Sequence, residues 1–358
     1  MSTLFSSIEN LSPLALFSGL ALIGAIVVFA GSWLTRLGDK LSEMTGLSSS
    51  WVGIILLATI TSVPELTATL TAVSAGVKDI GIGNVFGSNM FNMFIIAILD
   101  FLQGPGPVLL SVSATQILPA AHGILLMALA AIGIFLTEIM SEVNTSDESM
   151  LGWIFSILIL LAWIIGTMIT YKSEQATVSD EEIARRPNKR ELRRVIINFS
   201  IATVIVILSG VILIGFAKAL ANKQLAVGGT SIVLGNSFVG TIIVAIITSL
   251  PELVVSISAY RIGAVNMAVA NLFGSNTYNM VLIPIMEIVT PRHSIFSGLG
   301  NVHIITAGFA IILTTIAIMG VVYRSRKSIL YLGWDALGIL AFFLLGNYIF
   351  FMITVKVG

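Results

Sequence analysis

Ten apolar stretches, at 13–34, 51–75, 79–100, 119–138, 151–171, 195–217, 231–259, 265–288, 303–323 and 329–354, take up most of the chain. Each is close to the length one helix needs to cross the hydrocarbon core of a bilayer, roughly 20 residues. In lipid the backbone must satisfy its own hydrogen bonds, so only helices and closed barrels span. These stretches are continuously apolar, without the alternation of a transmembrane strand, which argues against a barrel. Only 10% of the 358 residues are charged, far below the roughly 25% of a soluble domain. The pattern predicts an all-α membrane protein of ten transmembrane helices.

Charge placement gives the expected orientation. The longest polar stretch, "YKSEQATVSDEEIARRPNKRELRR" at 171–194, lies between the fifth and sixth spans, and "RSRK" at 324–327 lies between the ninth and tenth. Basic loops stay cytoplasmic. Ten spans with both termini outside put 13 of the 18 Lys and Arg residues on the cytoplasmic side. The loop "TEIMSEVNTSDES" after span four has no basic residue and suits the outer face. Trp33, Trp51, Trp153 and Trp334 fall near span ends, where interfacial aromatics belong. No basic n-region precedes the first apolar stretch, which is read as a retained span. A multi-pass protein of a prokaryotic plasma membrane is expected. Without cysteine no thiol or disulfide chemistry is available; the zero net charge says nothing about nucleic acid, and no nucleic-acid partner is expected.

The chain also repeats itself. Residues 53–92, "GIILLATITSVPELTATLTAVSAGVKDIGIGNVFGSNMFN", align without a gap with 240–279, "GTIIVAIITSLPELVVSISAYRIGAVNMAVANLFGSNTYN", and 17 of 40 positions are identical. The identities include Thr61/Thr248, Ser62/Ser249, Pro64/Pro251, Glu65/Glu252, Asn84/Asn271, Ser88/Ser275, Asn89/Asn276 and Asn92/Asn279. Chance matching of apolar residues would not preserve these polar positions. The expected organisation is a five-helix half at 1–171, a basic cytoplasmic linker at 172–194 and a second half at 195–358. An odd number of spans per half inverts the second copy. Inverted repeats are characteristic of secondary transporters, whose sites lie near the midplane on interrupted helices.

Pro64 and Pro251 supply the interruption, because proline lacks an N–H and clashes with the preceding turn. Carbonyl oxygens around 58–60 and 245–247 are thereby expected to be available to a cation. Thr61 and Glu65 share a helix face, as do Ser88 and Asn92, and Thr248, Glu252, Ser275 and Asn279 repeat the set. All are hard oxygen donors without Cys or His, which suits calcium rather than zinc or copper. Two carboxylates are neutralised by one Ca2+ or two monovalent ions, so one cage can hold either load. Ionisable residues at membrane depth are functional candidates, and no Lys or Arg lies in these spans. Gly87 and Gly274 are read as packing residues, and Asn89 and Asn276, about 100° further round than the serines, as structural. Asp100 and Glu287 are expected at solvent-reached span ends, Glu138, Glu142, Asp147 and Glu148 in a solvated outer loop. No chemistry is assigned to His122, His293 and His303.

The segments "ITSVPEL" with "GNVFGSNMFN", and "ITSLPEL" with "ANLFGSNTYN", resemble the two alpha-repeats of the calcium:cation antiporter superfamily, in its sodium/calcium exchanger branch. The resemblance implies a calcium site flanked by sodium sites. Carried over by position, Glu65 and Glu252 are the shared central carboxylates. Thr61, Ser62, Thr248 and Ser249 are ligands on the broken helices, Ser88 and Ser275 come from neighbouring spans, and Ala58 and Ala245 give backbone carbonyls. Asn92 and Asn279 close each motif, where many exchangers have one aspartate, so this cage holds one fewer acid. The resemblance further implies that spans one and six slide past the core, and Gly19, Gly24, Gly210 and Gly215 offer smooth surfaces for it.

The expected activity is Ca2+/Na+ antiport by alternating access, in the bilayer, with a monomer sufficient and no cofactor beyond the transported ions. Ca2+/H+ antiport by the same two glutamates is the alternative, with K+ or Mn2+ as further cargo. GxSxG, HExxH and paired intramembrane aspartates are missing from the sequence, which argues against an intramembrane enzyme. Inverted repeats fit alternating access better than a continuous pore.

Overall fold

The computed structural model describes residues 8, 11–142, 148–176, 189–221, 226–227, 230–233, 239–290, 294–326, 328–329, 331–354 and 356–357. Helical structure coincides with every apolar stretch. Helix α1 is Pro13–Thr45, α2 Ser49–Ser74, α3 Lys78–Gln103, α4 Ile117–Glu142, α5 Glu148–Gln175 and α6 Lys189–Ala221. Helix α7 is broken, as Thr241–Thr248 followed by Leu250–Arg261, and α8 Val265–Val289, α9 Val302–Tyr323 and α10 Trp334–Thr354 complete the bundle. Among the described residues, eight of these are long and apolar enough to span, and the bent α7 makes a ninth. Helix α8 falls outside that set. It carries Asn266, Asn271, Ser275, Asn276 and Asn279, and its middle is buried in protein rather than facing lipid.

Local chemistry sets the helix ends. Ser12 caps α1 by accepting the N–H of Ala15, with Pro13 in the first turn, where its missing donor is harmless. Gly46 ends α1 at φ 71°, a left-handed conformation that suits glycine. Residues 231–233, expected within span seven, are instead in the short strand Thr230–Val233, which pairs with Ala226–Val227 and Lys356–Val357. The helices around the central linker reach Gln175 and resume at Lys189; residues 177–188 lie outside the described residues.

Two features break α2 and α7 in the same way. Each has a π-helical segment near its start, Val52–Leu57 after the first turn of α2 and Val239–Val244 leading into α7. Each then kinks at the residue before a Val/Leu-Pro pair, with φ −86° at Ser62 and −85° at Ser249. The π segments were not legible in the sequence. They widen the helix just where glycines of the opposite repeat press in. A Cβ on Gly87 of α3 would sit 2.0 Å from Thr241 O of α7, and one on Gly274 of α8 would sit 2.4 Å from Ile54 O of α2. Helices α3 and α8 also pack against each other, so the four helices of the repeats interlock around one centre.

Outside this centre, α1 and α6 lie along one another. Helix α1 packs on α7, where Ser32 and Ser258 share a hydroxyl hydrogen bond of 2.8 Å. Helix α6 packs on α2 through Gly210, whose added Cβ would meet Pro64 Cγ at 2.4 Å. Gly19 is pressed against Phe216, but nothing lies within 4 Å of Gly24, which therefore gives no sliding contact.

Asp100 and Glu287 correct the expectation of solvent access, since both are only 1% exposed. Asp100 accepts the N–H of Val108 at 2.5 Å and of Gly333 at 2.7 Å. Glu287 accepts the N–H of Ile295 at 2.8 Å and the Ser294 hydroxyl at 3.1 Å. Each carboxylate thus folds the loop after its helix back onto the helix end, where unpaired N–H groups would otherwise be buried. His303 has a carboxylate partner. It is buried and lies 3.0 Å from Asp79 Oδ1, a contact between α9 and α3 that spacing along one helix could not show. His122 meets Ala162 O at 3.1 Å. Glu138 is partly buried. His293, Asp147 and the side chains of Glu142 and Glu148 lie outside the described residues.

Candidate functional site

Proline cannot donate to the carbonyl four residues back, so Pro64 and Pro251 leave Ile60 O and Ile247 O without that partner. Ala58 O and Ala245 O, expected to be freed, instead accept the N–H of Ser62 at 3.0 Å and of Ser249 at 3.1 Å. The second lone pair of each carbonyl is met by a threonine hydroxyl, Thr61 Oγ1 on Ala58 O at 3.4 Å and Thr248 Oγ1 on Ala245 O at 3.2 Å, contacts that a bound cation would replace. The kinks bring the residues just before and after the prolines to the middle of the interlocked helices.

Glu65 and Glu252 are both 0% exposed. Neither has a basic partner among the described residues. The serines of the kinks cross over between repeats. Ser249 Oγ donates to Glu65 Oε1 at 2.9 Å, and Ser62 Oγ donates to Glu252 Oε1 at 3.1 Å. Each carboxylate keeps its second oxygen, Oε2, buried and without a hydrogen-bond partner.

The same holds for the other repeat-related oxygens. Ser275 Oγ, Asn92 Oδ1 and Asn279 Oδ1 are buried and unpartnered. Ser88 Oγ lies 3.5 Å from Thr248 Oγ1, which donates to Asn84 Oδ1 at 3.1 Å. Thr61 and Thr248 both turn back to the carbonyl three residues earlier, Ala58 O at 3.4 Å and Ala245 O at 3.2 Å, but Asn271 Oδ1, the counterpart of the oxygen Thr248 also reaches, has no partner. The two copies therefore hold equivalent groups in two different arrangements.

Buried polar groups are normally hydrogen-bonded, and each exception calls for a reason. Here acceptor oxygens from both repeats are left over: carboxylate, hydroxyl and amide carbonyl. Such a set is chemically suited to a hard cation that takes oxygen ligands. Among the described residues no group of three or more His, Cys, Asp or Glu side chains forms, so beyond the two carboxylates the oxygens here are neutral ones.

Sequence reasoning passed over a supporting layer. Asn84 donates to Thr69 Oγ1 at 2.9 Å and Asn271 to Ser256 Oγ at 3.1 Å, which ties each broken helix to the next span. Their retention in both copies at one fixed offset was the available signal.

Residues 15–172 and 201–356 match the family described as sodium/calcium exchanger protein. The chain belongs to that family. As an exchanger of this family it is a cation antiporter and a multi-pass membrane protein, with transport rather than chemical conversion as its activity. Relatives include inner membrane protein YrbG of Escherichia coli, 25% identical over 77% of this chain and 81% of its own length. Membrane protein MJ0091 of Methanocaldococcus jannaschii is 25% identical over 72% of this chain and 76% of its own. The exchanger fold is also that of the sodium-calcium exchanger NCX_Mj crystals soaked with 10 mM Na+ and zero Ca2+. The TM-score is 0.68 at 22% identity, covering 93% of this chain and 98% of that one.

Proposed function

We propose that this exchanger moves Ca2+ out of the cell against Na+ entry, with Glu65 and Glu252 as shared ligands of both ions. The observation that carries this reading is the mirrored pair of buried carboxylates. Each is held at one oxygen by a serine of the other repeat, with the second oxygen unpartnered and no basic residue to neutralise it. A cage of formal charge −2 is unfavourable in a low-dielectric centre unless cations occupy it. One Ca2+ or two Na+ satisfy it equally. That equivalence couples the two fluxes, because the carrier changes state only when neutralised.

Thr61, Ser62, Ser88, Asn92, Ala58 and their counterparts Thr248, Ser249, Ser275, Asn279 and Ala245 complete the proposed ligand set. Helices α1 and α6, packed along each other and laid across the broken helices, would be the sliding pair. Both termini are placed outside, and the site is placed at the bilayer midplane. The unequal bonding of Thr61 and Thr248 fits a carrier whose inverted repeats exchange arrangements between states.

The test is uptake of radiolabelled calcium into proteoliposomes under an imposed sodium gradient. Uptake driven by sodium on the opposite face is expected. Uptake indifferent to sodium but driven by a pH gradient would give the site to Ca2+/H+ exchange. That second reading has its own support, since the free Oε2 of each glutamate can take up a proton.

A further inference from the structure

At the crossing of α3 and α8, four asparagines form a reciprocal set. Asn92 Nδ2 donates to Asn276 Oδ1 at 3.0 Å, and Asn279 Nδ2 donates to Asn89 Oδ1 at 3.0 Å. Asn89 Nδ2 in turn reaches Asn276 O at 3.4 Å, and Asn276 Nδ2 reaches Asn89 O at 3.4 Å. All four side chains are buried, at 0% or 1% exposure. Asn89 and Asn276 therefore use both ends of their amides within the crossing. Asn92 and Asn279 use only their nitrogens, and their Oδ1 atoms are left without a partner.

An asparagine side chain is a donor at one end and an acceptor at the other, and the surrounding network decides which way it points. An NH2 group cannot ligate a cation, whereas the amide carbonyl can. Asn92 lies one helical turn beyond Ser88, and Asn279 one turn beyond Ser275, so each shares the face of a proposed ligand. Reversing Asn92 would set its carbonyl against Asn276 Oδ1, two acceptors in contact in a site without water to separate them. Reversing Asn276 in compensation would restore that bond but set Asn276 Oδ1 against Asn89 O, two acceptors again, and lose the bond between them. The network admits one orientation.

We infer that Asn89 and Asn276 are positioning residues. They hold the amides of Asn279 and Asn92 so that each carbonyl oxygen, not the amino group, faces the transported cation. This rests on the cation-cage reading above, and deepens it. The positions that close the two motifs act as neutral oxygen ligands whose polarity is fixed across the repeat boundary. Each repeat orients a ligand belonging to the other, as the serines do for the glutamates. Loss of an orienting partner behind a metal ligand typically weakens metal affinity about 10–100-fold.

The test is a double-mutant cycle on the purified full-length protein, reading equilibrium binding of radiolabelled calcium alongside thermal melting. Asn89→Leu and Asn276→Leu are expected to weaken calcium binding at least about tenfold. Combining Asn89→Leu with Asn279→Leu should weaken binding no further than Asn279→Leu alone, because the orienting bond is already gone. Combining Asn89→Leu with Asn92→Leu should multiply the separate losses, since these two are not partners. A general packing role would instead give independent losses in both pairs. If a leucine variant fails to fold, Asn89→Ala takes its place, because it removes the accepting oxygen without adding bulk. Calcium affinity at least about tenfold weaker in Asn89→Ala supports the assignment and wild-type affinity overturns it. Wild-type affinity in Asn89→Leu, or independent losses for Asn89 and Asn279, also overturn it. Calcium binding that survives Glu65→Gln would bring down the cage itself, which separates the two failures.

Discussion

Ser249 donates its hydroxyl to Glu65 across the boundary between the two repeats, at 2.9 Å. The mirrored bond runs from Ser62 to Glu252 at 3.1 Å. Neither carboxylate is thus oriented by its own repeat, and the cage exists only when both halves are docked. A hydrogen bond to a charged acceptor is worth about 1.5–3 kcal/mol. Ser249→Ala and Ser62→Ala should each weaken calcium binding by at least about tenfold, the equivalent of about 1.4 kcal/mol. Calcium titrations of the two variants check this, and the two losses should be similar in size.

Glu65→Gln and Glu252→Gln remove one charge each while keeping side-chain shape. Either alone should bring sodium-driven calcium uptake to background, because a cage of charge −1 no longer matches a divalent load. The fold should persist, since removing a buried unpaired charge relieves desolvation rather than adding to it. Uptake assays paired with melting curves test both halves of the statement. Transport retained in either variant would rule out a jointly held cargo.

Gly87→Ala and Gly274→Ala act on the frame instead. The added Cβ would meet backbone carbonyls at 2.0 and 2.4 Å, which cannot swing aside as a side-chain end can. Overpacking of this kind costs about 3 kcal/mol. Both variants should melt at clearly lower temperature, and unchanged melting would mean that the π-helical segments give way more easily than their packing indicates.

Much of this was legible in the residues. The spacing of the apolar stretches and the offset between the copies gave ten helices in two matched sets. The identity of polar residues at membrane depth pointed to the glutamates, serines and threonines that the kinks bring together. What the sequence could not show was any contact between helices. The Asp79–His303 contact, the burial of Asp100 and Glu287 by returning loops, and the asparagine crossing all join residues far apart in the chain. The π segments were hidden for another reason: nothing in VGIILL or VGTIIV differs from ordinary helix-forming apolar sequence, and the glycines that press against them come from the opposite repeat.

Gly210 sits against Pro64 where α6 crosses the kink of α2. Gly210→Leu should hinder the movement of α6 over that proline while leaving the cage intact. Exchange should slow by about tenfold, corresponding to about 1.4 kcal/mol on the barrier, with calcium affinity unchanged. Flux and binding measured on the same preparation separate the two. Equal loss of both would assign Gly210 to the stability of the cage and not to motion.

The central claim is that calcium and sodium compete for one pair of carboxylates. Equilibrium calcium binding to the purified protein, followed as sodium is raised, tests it most directly. The account predicts that sodium displaces calcium completely, with a dependence steeper than one sodium per calcium, and that Glu252→Gln abolishes the bound calcium. Calcium that stays bound at saturating sodium, or that binds undiminished to Glu252→Gln, would contradict it.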